Sequence, residues 1–115
     1  MKVVSGTPTQ AVTEQLSVQP LADLGGPQKL RANMWTLAVG DWSWGRHAHS
    51  EQEELYLVLD GVARIEAGGE VFELAERDTL VVPAGVAHQI WNGGPEALTF
   101  LAAAAPAVAE DSAPA

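Results

Sequence analysis

A chain of 115 residues, 47% of them hydrophobic, fits one domain with its own core and leaves no room for a second. Its formal net charge of −9, from 15 Asp and Glu against 6 Lys and Arg, repels phosphate backbones and anionic lipid surfaces, so neither nucleic acid nor membrane is expected as a partner. Cysteine is absent, which excludes disulfides and thiolate metal sites; any metal must be held by nitrogen and oxygen.

Residues 1–28 mix short apolar pieces with Thr, Gln and Pro and are expected to form an N-terminal arm or edge strand. The first ten residues hold one lysine and no apolar stretch of secretory length. The longest apolar run, Phe100 to Ala105, is far below the roughly 20 residues that span a bilayer, so a cytoplasmic location is expected. After the break at Gly25, Gly26 and Pro27, Lys29 to Val39 alternates with the period of a strand.

Gly40 and Asp41 make a turn, and Trp42 to His49 reads as the next strand, with Trp42 and Trp44 opposite His47 and His49 by parity. Leu55 to Leu59 and Val62 to Ala67 flank Asp60-Gly61, a strong hairpin signal. Gly68-Gly69 repeats the device before Val71 to Leu74. Thr79 to Val82, Val86 to Asn92 and Ala97 to Ala103 complete the series. No 3.6-residue period persists long enough for a core helix, and short strands at regular spacing predict an all-β sandwich or barrel over residues 29–103. The tail, 104–115, is rich in Ala and Pro and is expected to be disordered.

The chemistry concentrates in two short stretches. His47 and His49, at spacing i, i+2, project from one face of a strand, and carboxylates follow at once in Glu51, Glu53 and Glu54. The third and last histidine of the chain is His88. From His47 to Gly61 the pattern is H-x-H-x4-E-x6-G, and from Pro83 to Asn92 it is P-x-G-x2-H-x3-N.

These two patterns resemble the paired motifs of the cupin family, and the resemblance covers about Leu30 to Leu101. It implies a single-domain antiparallel β-barrel, the jelly roll or double-stranded β-helix, with His47, His49, Glu54 and His88 as ligands of one divalent transition metal ion, and Gly61, Pro83, Gly85 and Asn92 as turn and shape positions. Glu53 also fits a looser spacing, but the six-residue interval to Gly61 selects Glu54. The chain departs from the family pattern at two turn glycines, which fall on Asp41 and Arg77. Three neutral imidazoles and a carboxylate around a divalent ion leave a charge near +1 and suit Fe, Mn, Co, Ni, Cu or Zn.

The function expected is that of a metal-dependent enzyme acting on a small organic molecule, with oxygenase-like chemistry favoured over lyase or isomerase chemistry on the same metal; the alternative is a non-catalytic module that holds a small ligand. Tyr56 shares the parity of Glu54 and is expected beside the metal, so Tyr56 and Glu53 are weak candidates for catalytic roles. Arg46 and Arg64 read as surface residues, with Arg64 the one that could reach an anionic substrate. Four tryptophans, costly to expose, predict a homodimer with one or more of them at the interface.

Overall fold

The computed structural model describes residues 9–21, 29–40, 42–108 and 111–115. Its elements are strands: β1 Gln10–Ala11, β2 Leu16–Pro20, β3 Arg31–Leu37, β4 His47–His49, β5 Glu53–Asp60, β6 Ala63–Ala67, β7 Glu70–Leu74, β8 Thr79–Val82, β9 His88–Asn92, β10 Leu98–Ala105 and β11 Ser112–Pro114. Their pairings are antiparallel and build two sheets, ordered β1-β2-β3-β10-β5-β8 and β11-β4-β9-β6-β7. Among the described residues no helix is long and apolar enough to cross a membrane.

Alternation along the strands makes the core. On β10, Leu98, Phe100, Ala102 and Ala104 are buried and their neighbours only partly so. Leu37, Tyr56, Val58 and Val82 join them from the larger sheet, and Ala63, Ile65, Leu74 and Ile90 face them from the smaller. Such face-to-face burial of two alternating sheets is the jelly-roll solution to packing an all-β chain.

Size grades along β10 open a cavity at one end of this core. Its inward residues shrink from Leu98 and Phe100 to Ala102 and Ala104. The register sets Ala102 between Asn33 and Tyr56, and Ala104 between Arg31 and Glu54. Two methyl groups where large side chains would otherwise meet leave polar groups room to converge.

Two expectations are corrected here. The tail is not disordered where it is described: β10 runs to Ala105, and Ser112–Pro114 pairs with β4 through Ser112↔His49, Ala113↔Ala48 and Pro114↔His47. Backbone pairing and a buried Asp111 side chain hold it, neither of which composition reveals. Trp42 to Gly45 is not regular strand, being attached to β9 by the isolated Ser43↔Trp91 bridge, by Trp44 N–H donating to Ile90 O at 3.0 Å and Asn92 N–H to Trp42 O at 3.3 Å, and by Gln89 Nε2 donating to Ser43 Oγ at 3.3 Å. Parity therefore fails there, and Trp44 lies on the histidine side, 6.0 Å from the His47 ring. Of the N-terminal arm, β1 and β2 are described, with β2 paired to β3, while residues 1–8 and 22–28 lie outside the described part, as does Asp41.

Arg77, where the resemblance called for glycine, has φ +72°. Its N–H donates to Val58 O at 2.8 Å, and Asp78 Oδ2 accepts the Ala75 N–H at 2.9 Å, so the turn is imposed by its neighbours. A left-handed residue with a Cβ costs roughly 1–2 kcal/mol, and glycine's extra unfolded-state freedom costs about 0.5–1 kcal/mol. Arg77→Gly is therefore expected to stabilise the protein by about 0.5–1 kcal/mol, read as a higher urea midpoint at unchanged slope.

Candidate metal centre

Four side chains from three strands meet at this end of the core, His47, His49 and Glu54 lining the cavity and His88 buried behind them. His47 and His49 come from β4, Glu54 from β5 and His88 from β9, and one ligand atom from each lies within 4.8 Å of all the others. β4 and β9 bring the histidines together through the His47↔His88 pair, and Glu54 arrives from the opposite sheet.

Each imidazole is fixed from behind. Nδ1–H of His47 donates to Gly45 O at 3.0 Å, and that of His88 to Val86 O at 2.9 Å. A carbonyl oxygen can only accept, so the hydrogen sits on Nδ1 in both and the Nε2 lone pair is left for the cavity. His49 Nδ1 faces Asp111 Oδ1 at 2.9 Å.

The fronts of these rings need a positive charge between them. His88 Nε2 is 3.0 Å and His49 Nε2 3.5 Å from Glu54 Oε1, and His49 Nε2 is buried without a hydrogen-bond partner. A buried nitrogen without a partner costs free energy, and a lone pair facing a carboxylate costs more. A shared cation removes both penalties. Around an ion with bonds of roughly 2.1 Å no two donors stand more than about 4.2 Å apart, and the ligand atoms here already lie within 4.8 Å of one another. The group could hold a metal ion, and its three nitrogens and one oxygen suit a transition metal better than Ca or Mg.

Without a metal, a proton takes part of that role. Burial pushes the His88 imidazole down, but hydrogen bonds to Glu54 and Val86 outweigh it and hold the group above its ordinary value. Burial pushes Glu54 up, and the contacts with His88, Tyr56 and His49 overcome it and hold the carboxyl low. His47 is lowered chiefly by burial. Stability from Glu54 and His47 is present above their unfolded values and lost as pH falls through the folded ones; that from His88 is present below its unfolded value and lost as pH rises through its folded one. Thermal melts in chelator are thus expected to peak near the ordinary histidine value, about pH 6.5, and to fall on both sides, through His88 above it and through His47 and then Glu54 below it.

Tyr56 is buried beneath Glu54, its O–H donating to Oε1. Burial, then the Glu54 charge, pushes this phenol well above its ordinary value, so it stays a donor that orients the carboxylate. It does not line the cavity. Glu53, the other weak catalytic candidate, is exposed and also absent from the cavity wall; strand alternation turns it away from Glu54. Arg64 is likewise corrected: it is exposed on β6, beside Trp91 on the outer face, and does not reach the site.

Arg31 and Arg46 do line the cavity, which has a volume of about 480 Å³. Arg46 also pairs with Glu66 at 3.1 Å. Asn33, Trp35 and Trp44 complete the side wall, the two indoles 4.2 Å apart. The sequence reading passed over Arg31 and Asn33, although their alternation with Ala32 and Met34 carried the signal. Trp35, Trp42 and Trp44 pack against the core, so much of their covering is internal.

Asn92 acts as a shape residue: its Nδ2 donates to Ala38 O at 2.9 Å and Glu96 O at 2.8 Å, and Oδ1 accepts the Gly94 N–H.

Comparison with known proteins agrees with this fold. A family model described as Cupin domain matches residues 33–104. An uncharacterized protein of Methanocaldococcus jannaschii, MJ1618, is 33% identical over 60 residues, 52% of this chain and 48% of that one, so the match spans about half the relative's length. Among solved structures, a predicted oxalate decarboxylase from Thermotoga maritima superposes with TM-score 0.79 at 22% identity, covering 92% of this chain and 99% of that one. A sugar phosphate isomerase from Silicibacter pomeroyi, described as from a cupin superfamily, gives 0.70 at 26%, covering 80% and 60%.

Proposed function

The chain belongs to the cupin family, and from that premise we propose that it is a metal-dependent enzyme acting on a small organic anion, with His47, His49, Glu54 and His88 holding the ion. The observation that carries this reading is the convergence of those four groups, three of them lining a cavity whose wall bears two guanidinium groups. A bound divalent ion would polarise a carbonyl or enolate oxygen of the substrate.

The chain's own residues bind and orient. Arg31 and Arg46 attract a carboxylate or phosphate group, and Trp35 and Trp44, tilted 55° to each other, give an apolar wall that excludes water from one side. The solved sugar phosphate isomerase, by its name, also takes an anionic organic molecule. Among the described residues lining the cavity, no carboxylate or imidazole stands outside the ligand set. The wall thus supplies no separate acid–base pair, which favours oxygenase-like chemistry, with dioxygen as co-substrate, over isomerisation or lysis.

The test is elemental analysis of anaerobically purified protein, followed by oxygen-consumption screening of small carboxylates and diketones with each candidate ion. Oxygen uptake that needs both metal and substrate is the expected result. Turnover that proceeds equally without oxygen replaces the oxygenase reading by the lyase or isomerase one, and tight ligand retention without turnover replaces it by the binding module. We also propose a homodimer through the outer face of the larger sheet, where Leu59 and Val81 are exposed; sedimentation of the wild-type chain as a monomer at micromolar concentration would refute it.

A further inference from the structure

The strand that carries two of the four ligands has only three residues, and it is held mainly from the outside. Toward β9 it has one register pair, His47↔His88, and one bond from Gly85 N–H to His49 O at 2.7 Å. On its other side β11 pairs with all three of its residues. Ala115 N–H also donates to Arg46 O at 3.3 Å.

Asp111, at the start of this C-terminal segment, has a side chain nearly covered from solvent and engaged through both oxygens. Oδ1 faces His49 Nδ1 at 2.9 Å, while Oδ2 accepts the N–H groups of Glu51 at 3.0 Å and Gln52 at 2.9 Å. Its backbone carbonyl accepts the Ser50 N–H at 3.2 Å. One residue thus fixes both the ring of His49 and the connection, 50–52, that leads to Glu54. Gln52 Nε2 donates to Pro106 O at 2.9 Å and Arg31 Nη1 to Val108 O at 3.3 Å, securing the preceding stretch against the same cavity wall. Ser112 and Pro114 themselves line the cavity.

We propose that Asp111 is a positioning residue of the metal centre, holding His49 in its Nδ1–H form and aiming Nε2 at the ion, and that the C-terminal strand is part of the site. The inference rests on the metal reading above and adds a residue that lies outside both sequence motifs. A carboxylate behind a ligand histidine fixes its tautomer and raises its basicity; losing such a partner typically weakens metal affinity about 10–100-fold. Asparagine keeps one oxygen for the turn but cannot serve the ring and both amides as a carboxylate does.

The experiment compares full-length wild type, Asp111→Asn and a control, Asp78→Asn, whose carboxylate caps a turn by accepting the Ala75 N–H and does not line the cavity. Co²⁺ affinity is measured by chelator competition and the ring state of His49 by ¹⁵N NMR of the metal-free proteins. Expected are an Nδ1–H His49 in wild type, a mixed or Nε2–H ring in Asp111→Asn with affinity down about 10–100-fold, and affinity unchanged in Asp78→Asn. A wild-type His49 in the Nε2–H form overturns the proposal, as does an Asp111→Asn affinity within about twofold of wild type, which lies below the expected range. Wild type that binds no Co²⁺ sinks the metal reading instead, and the ring measurement still decides the Asp111 contact even where the variant fails to fold.

Discussion

Glu54→Gln is expected to weaken divalent-ion binding by roughly two to three orders of magnitude. Taking the about 10–16 kcal/mol of structural four-ligand zinc sites as the scale, an even share is ~2.5–4 kcal/mol per ligand, or about 10²–10³ in affinity. Glutamine is nearly isosteric, and its amide oxygen can still accept the Tyr56 O–H, so the sheets should remain folded. The second consequence is electrostatic. His88 is held high chiefly by its bond to Glu54 acting against burial, so in metal-free Glu54→Gln it should titrate lower, and the loss of stability on its alkaline side should disappear. Chelator competition reads the first effect and melts across pH the second. An affinity within tenfold of wild type would remove Glu54 from the ligand set.

Gly61→Ala is expected to cost several kcal/mol, for a reason confined to the backbone. At φ +91° a Cβ is strained, and here it would stand 2.7 Å from Ala97 O and 3.1 Å from Leu98 Cα. Neither is the end of a flexible side chain; relief requires shifting the start of β10. Left-handed strain of roughly 1–2 kcal/mol and overpacking of about 1–3 kcal/mol sum to about 2–5 kcal/mol. That is a large part of the roughly 5–15 kcal/mol that holds a domain together. Gly69→Ala is the comparison, since φ is +87° but nothing lies within 4 Å of the added carbon. It should show only the strain, about 1–2 kcal/mol. Equal urea midpoints for the two variants would mean that the contact with Ala97 is unimportant.

The two motifs and the strand periods were legible because each is a local property. His47 and His49 share a face by strand geometry, Asp60-Gly61 announces its turn, and the interval to Gly61 separates Glu54 from Glu53. Reading failed where geometry is not periodic. Trp44 was placed opposite the histidines by parity, but its segment is not strand, and it sits against His47. Arg46, read as a surface residue, lines the cavity, and Arg64, the one given a possible reach to substrate, does not, because the facing of a segment depends on its partners.

By itself the sequence determined that the chain is an all-β domain and which three histidines and one glutamate were worth bringing together, since hydrophobic alternation and ligand spacing are written residue by residue. Only the tertiary structure decided that Ala102 and Ala104 leave a cavity above them, that Arg31 and Arg46 stand on its wall, and that Asp111 reaches back across 62 residues to hold His49. The physical reason is that those features arise from pairing between distant strands. Register, sheet order and the return of the C-terminal strand to β4 are fixed by long-range backbone hydrogen bonds, which leave no local mark on the residues that make them.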